Sequence, residues 1–266
     1  MDTMELLSLW RSWLEANFAP ATVEGYWGSI IRFLAANPVP LIAVTDAHIA
    51  AWIERYPFRS ASRVSAFHAI RSLFGWLVRH HHVDHDPTSD IRVPAPEMKE
   101  PRALTVEQYE AVKAAAYAHS PVRGYAIELL YHSGGRIGET LGLTWDNVTA
   151  DGIIFTHTKG GRERTVYWSE GLRRAVEGLR SHFGEQDRVL PRSEQTVWLW
   201  CREAGRAAGV PRVHPHLFRS TAATRAQQRG AMPTAVQQLL GHSKLTTTSR
   251  YMQTRREDVQ KAVNLL

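Results

Sequence analysis

A single cysteine, Cys201, is present in 266 residues. No internal disulfide can form, so the fold must rest on packing, and a reducing compartment is expected. Long apolar runs are missing as well, since none approaches the roughly 20 residues that a membrane-spanning helix needs. The start, MDTMELLSLWRSW, places acids where a secretory signal would place cations, which argues against export. No repeat and no low-complexity tract interrupts the chain. These absences exclude a disulfide-stapled secreted scaffold, a membrane protein and a repeat array. They leave a cytoplasmic, globular protein with no membrane partner.

What is present agrees with that class. An apolar content of 44% and a charged content of 22% are globular values. The length suffices for two domains, each with its own core. The net charge of +6 favours an anionic partner, and its distribution says more than its size. Residues 1–90 carry seven arginines and no lysine against nine acids, a net −2, whereas residues 91–266 carry a net +8.

Apolar residues recur at helical spacing over Leu6–Phe18, Ala21–Asn37, Asp46–Tyr56 and Ser62–His82, which predicts four helices in the first 90 residues. In the last of them Val64, Phe67, Ile70, Leu73, Phe74 and Leu77 form one stripe. Pro94, Pro96 and Pro101 then mark residues 91–103 as an extended connection. Beyond it, helices are expected over Val106–Ala118, Val122–His132, Gly171–His182, Glu194–Ala208, Phe218–Gln228 and Thr234–Leu240. Between the second and third of these, GIIFTHTKGGRERTVYW reads as two β-prone runs around a turn at Lys159-Gly160-Gly161. The fold class is mainly α, with one small antiparallel sheet in the second part.

Four polar islands interrupt this pattern. In SGGRIGETLGLTW, Gly134-Gly135 ends one helix and Arg136 opens the next, with Glu139 one turn on. A cation at a helix N-terminus opposes the local dipole, so an anion is expected there; pairing with Glu139 on a solvated surface is the simpler alternative. Lys159 stands beside two glycines at the hairpin tip, where it is either solvated or swung toward a ligand. In HPHLFRS, His216 and Arg219 lie three apart on one face of a helix beginning near Pro215, with no carboxylate nearby in sequence, which suits a phosphate.

The fourth island, GHSKLTTTSRY, sets His242 and Tyr251 nine residues apart. On one helix, at about 100° per residue, they would face opposite ways. A break at Gly241 and a restart at Ser243 would let them meet.

Taken in order, Arg136, Lys159, His216, Arg219, His242 and Tyr251 resemble the tyrosine recombinase (phage integrase) family. The resemblance rests on GGRIGETLGL, the hairpin lysine, the H-x-x-R spacing, LLGH, and the tyrosine nine residues after its histidine, and it covers nearly the whole chain. It implies a four-helix, SAM-like core-binding DNA-binding domain over residues 1–90, a linker over 91–103, and a catalytic domain of the DNA breaking-rejoining fold over 104–266.

The implied chemistry is site-specific recombination through a 3′-phosphotyrosyl bond made by Tyr251. By the resemblance, Arg136 and Arg219 grip the phosphate, and His216 and His242 bond it or move its proton. Lys159 protonates the departing 5′ oxygen, and Glu139 orients the cluster. The implied partners are double-stranded DNA clamped between the two domains and a homotetramer on paired sites. Accessory DNA-bending or directionality proteins and a nucleoid-associated location follow as well.

Arg59 and Arg63 are candidate DNA contacts in the acidic first domain. No cofactor and no metal is expected, and HHHVDH at 80–85 reads as a solvated or DNA-facing stretch. Ser220 departs from the family, where a histidine is common after the arginine. The chain also starts at the core-binding helices, which suits a short integrase or a Xer-type dimer resolvase. A type IB topoisomerase-like nicking-closing enzyme and a non-catalytic regulator on the same fold are the alternatives. The tail after Tyr251 puts Val259, Val263 and Leu266 on one helical face, suited to docking on a neighbouring subunit or on its own domain.

Overall fold

The structure is a computed structural model of the chain, and it describes residues 2–97, 102–156 and 163–241. The chain divides into two compact units, Met1–Lys99 and Glu100–Leu266.

In the first unit four helices carry the core: α1 (Thr3–Asn17), α2 (Pro20–Ala36), α3 (Asp46–Ile53) and α4 (Ala61–Arg79), with one 3₁₀ turn at Leu41–Ala43. Their starts are written in the sequence. Asp2 caps α1 through its side chain while Glu5 reaches back, and Ser60 accepts from the Arg63 N–H to open α4. The expected stripe is inside except at its start: Phe67, Ile70, Leu73, Phe74 and Leu77 are buried with Trp10, Ile30 and Phe33, while Val64 is half-buried. Ile91 and Val93, expected in the connection between domains, pack on this core.

α4 ends at Arg79, three residues before its expected end, and His81 takes a left-handed φ of 58°. His80 and His82 lie against Trp76, with ring centroids 4.7 and 5.3 Å away. Among the described residues no group of three or more His, Cys, Asp or Glu is placed to hold a metal. None of the described helices is long and apolar enough to cross a membrane.

The second unit is built around α6 (Pro121–Ser133), which packs against α5 (Val106–His119), α8 (Glu170–Phe183) and α10 (Pro215–Gln228). A helix surrounded on so many sides should be apolar almost all round, and Ala126, Ile127, Leu129 and Leu130 are buried. Its one buried charge, Glu128, is matched by Arg174 and by the Tyr117 hydroxyl, which donates to it at 2.6 Å.

Among the described residues the remaining elements are α7 (Ile137–Leu141), α9 (Glu194–Ala207), α11 (Pro233–Leu240), a 3₁₀ turn at Trp145–Asn147, and two strands, β1 (Gly152–Phe155) and β2 (Arg164–Tyr167). The strands pair antiparallel with Gly152 opposite Tyr167 and Phe155 opposite Arg164. The architecture is thus mainly α with one small antiparallel sheet, as the periodicity predicts. α10 begins at Pro215, as the reading of HPHLFRS expected, three residues ahead of its apolar pattern, because proline is favoured in a first turn.

Candidate functional site

Two helix ends frame the site, and glycine terminates both. α6 stops at Gly134, whose φ of 56° is left-handed, and α11 stops at Gly241 with a φ of 63°. Both are conformations that a side chain resists, so the two glycines fix where each helix releases its last carbonyls. After Gly134 the chain turns through Gly135 and starts α7 with Arg136 as its N-cap.

Glu139 sits on the first turn of α7 and is buried, its side chain 4% exposed. It accepts from the backbone N–H of Arg136 at 2.9 Å and from Arg136 Nη1 at 2.6 Å. The anion expected at this helix start is therefore intramolecular. The Arg136–Glu139 pair forms as the simpler alternative had it, but on a buried carboxylate, while a third of the Arg136 side chain remains open to solvent.

His216 and Arg219 come from the first turns of α10. Arg219 is fully enclosed, 1% exposed; Nη1 donates to the Gly134 carbonyl at 2.7 Å and Nη2 to the Leu240 carbonyl at 2.6 Å. The local sequence offered Arg219 no carboxylate. The fold supplies one from 80 residues earlier, with Glu139 Oε2 3.9 Å from Nη1. Arg219 thereby ties the ends of α6 and α11 together. His216 lies on the outer side of α10, and partial desolvation followed by the positive charges of Arg219, His214 and Arg136 lowers its pKa below the ordinary 6.5. Its ring is neutral at physiological pH, able to accept or donate a proton.

A fifth side chain, which the sequence reading passed over, completes the cluster. Arg164, the first residue of β2, is 7% exposed and donates through Nη2 to Glu139 Oε2 at 2.8 Å and through Nε to the Leu239 carbonyl at 3.0 Å. Its guanidinium lies 4.4 Å over the Phe155 ring. The signal was there: in RERTVYW, Arg164 and Val166 share the buried face of a strand whose other residues face out. Burial by itself would raise the Glu139 pKa, but the bonds from Arg164 and Arg136 hold it down at about 2.

Arg136, Glu139, His216 and Arg219 are thus brought together. Lys159, His242 and Tyr251 lie outside the described residues, as does the tail after Tyr251. Arg59 and Arg63 are placed in the first unit at the entry to α4. Arg59 is exposed with a left-handed φ of 60°, and Arg63 is half-buried with its guanidinium 5.4 Å from the Phe58 ring. Ser220, the departure from the family pattern, is buried on α10.

Two arginines and a neutral histidine drawn from α7 and α10 thus gather near one buried carboxylate, a cationic cluster whose chemistry suits an anion. Comparison with known proteins shows the family. Residues 102–258, more than half of the chain, match the phage integrase family. The chain is 31% identical to tyrosine recombinase XerD of Vibrio cholerae, over 95% of this chain and 92% of that one. It is 30% identical to tyrosine recombinase XerC of Xylella fastidiosa, over 90% and 87% respectively.

Among solved structures, a lambda integrase (residues 75–356) dimer bound to a core site superposes with a TM-score of 0.81 at 20% identity, covering 96% of this chain and 97% of that one. XerH bound to its difH substrate gives 0.72 at 17% identity, covering 100% and 85%. The chain belongs to the phage integrase family. It is a tyrosine site-specific recombinase, similar along its length to the Xer enzymes.

Proposed function

We propose that the chain cleaves and rejoins double-stranded DNA with Tyr251 as nucleophile. Arg136 and Arg219 neutralise the non-bridging oxygens of the attacked phosphate. The observation that carries this reading is that Glu139 and the helix-end carbonyls hold both guanidiniums in one place before any DNA arrives. Charge on a pentacoordinate phosphorus is then met by groups that need not reorganise.

Tyrosine, with an ordinary pKa near 10, is a weak nucleophile at neutral pH until its proton is removed. In the proposed reaction the Tyr251 oxygen bonds to phosphorus as the bond to the 5′ oxygen breaks. Neutral His216, with His242, bonds the phosphate or takes the phenolic proton. Lys159 gives a proton to the departing 5′ oxygen. A 3′-phosphotyrosyl bond retains the energy of the broken linkage, so rejoining needs no nucleotide cofactor. With the phosphate faced by fixed cations, no metal has a step assigned to it.

The first unit supplies the core-binding domain, and Arg59 and Arg63, at the start of α4, are its proposed DNA contacts. The assembly is a homotetramer on paired sites, acting in the cytoplasm on the nucleoid. The XerD and XerC relatives favour recombination of the Xer kind over phage integration. A nicking-closing enzyme would use the same residues without synapsis, and joining two separate duplexes distinguishes the two.

The test is covalent capture. Wild-type chain incubated with a library of nicked duplexes should form a protein–DNA adduct resistant to denaturant. Tyr251→Phe should bind the captured sequences as tightly and form none. An adduct that survives the substitution removes Tyr251 from the role.

A further inference from the structure

The reading of the site as a DNA-cleaving centre accounts for Arg136, Glu139, His216 and Arg219 but not for Arg164. Arg164 is buried, and a buried guanidinium is costly unless every bond it makes is well aimed. Two of its nitrogens are so placed, on Glu139 Oε2 and on the Leu239 carbonyl, while Nη1 is buried without a hydrogen-bond partner. Nη1 lies against Gly241, where an added Cβ would stand 2.9 Å from it.

These contacts meet at the junctions of the site. Leu239 and Leu240 are the last residues of α11, and their carbonyls, left over at a helix C-terminus, are taken by Arg164 and Arg219 respectively. One residue further on is Gly241, and next in sequence is His242. Five residues before Arg164 in sequence is Lys159. Through Glu139 the same guanidinium reaches Arg136.

We infer that Arg164 is a positioning residue for DNA cleavage. Its planar fork locks β2, the carboxylate that orients Arg136, and the last turn of α11 into one unit, so that side chains arising from three separate segments converge on the scissile phosphate. The fork is the essential part. A lysine ammonium carries the same charge, but as a point donor on a flexible stem it lacks the fork that holds the Glu139 carboxylate and the Leu239 carbonyl in fixed directions. Because Arg164 faces inward, it acts through its neighbours and not on DNA.

The inference rests on the proposed function, and the test separates the two. The rate of adduct formation per bound complex and the dissociation constant are measured on the duplex captured by the wild-type chain, for wild type, Arg164→Met and Arg164→Lys. A misplacement of about 1 Å costs on the order of 100-fold in rate. Arg164→Met should therefore cleave about 100-fold more slowly at saturation with its affinity for DNA changed less than about threefold. Arg164→Lys should recover little of that loss.

Should Arg164→Met fail to fold, Arg164→Lys decides alone. Cleavage by a folded Arg164→Met at the wild-type rate, full recovery by Arg164→Lys, or a loss confined to affinity and thermal stability would each overturn the assignment. A wild-type chain that forms no adduct would overturn the reading of the site and this assignment with it.

Discussion

Four donors converge around Glu139: the Arg136 amide, the guanidiniums of Arg136 and Arg164, and, at longer range, that of Arg219. Replacing it by glutamine keeps the shape and removes the charge that three arginines share. Removal of one partner from a buried pair costs about 3–5 kcal/mol, because the other charge stays behind uncompensated. Glu139→Gln should therefore lose about 3 kcal/mol in urea denaturation at neutral pH; a loss under about 1 kcal/mol would show that the cluster holds without it.

The pH dependence has a definite sign. The Glu139 pKa is depressed from its ordinary 4.5 to about 2, so its contribution is complete above pH 4.5 and disappears as the pH falls toward 2. The stability gap between wild type and Glu139→Gln should be widest at neutral pH and narrow below pH 4.5. A gap that stays constant through that range would contradict the pairing.

At the scale of elements, the site depends on where α6 and α11 stop. Gly241 has two reasons to be glycine. Its φ of 63° disfavours a side chain, and a Cβ there would meet Arg164 Nη1 at 2.9 Å and Cδ at 3.0 Å. Gly230 has only the first reason, with a φ of 90° and nothing within 4 Å of an added Cβ. Alanine at either position should cost about 1 kcal/mol in backbone strain, read as a lower thermal midpoint. Only Gly241→Ala should also slow cleavage of bound DNA, by tenfold or more. Equal cleavage rates in the two variants would show that crowding at the Arg164 guanidinium has no consequence.

These element ends also mark what could be read beforehand. Gly134 and Gly241 are visible as stop signals because positive φ is a local requirement that a single residue type satisfies. The four helices of the first unit are visible because each buries a stripe at helical spacing. The pairing of Arg219 with Glu139, and of Arg164 with both Glu139 and Leu239, is not local. It depends on helices that meet only in the folded unit, so spacing along the chain carried no trace of it. The end of α4 was misplaced for a related reason: His80, His81 and His82 do not forbid a helix, and the helix stops where His80 and His82 pack against Trp76.

For the molecule as a whole, the chain divides into two compact units with the net positive charge concentrated in the second, and residues 102–258, the part that matches the phage integrase family, fall within that second unit. The order of Arg136, Lys159, His216, Arg219, His242 and Tyr251 was legible as a resemblance; the fold gathers Arg136, His216 and Arg219, whereas Lys159, His242 and Tyr251 lie outside the described residues. Glu139 was expected beside Arg136, but its bond from Arg164 and its approach to Arg219 between two helix ends emerged only in three dimensions.

The central claim is that this scaffold presents a phosphate to one phenolic oxygen. It is tested most directly by digesting the covalent DNA adduct and identifying by mass spectrometry both the attached residue and the DNA end it holds. The peptide should carry its nucleotide on Tyr251 through a 3′-phosphate, with a free 5′-hydroxyl on the released strand. A linkage to any other residue, or to a 5′-phosphate, would contradict the account.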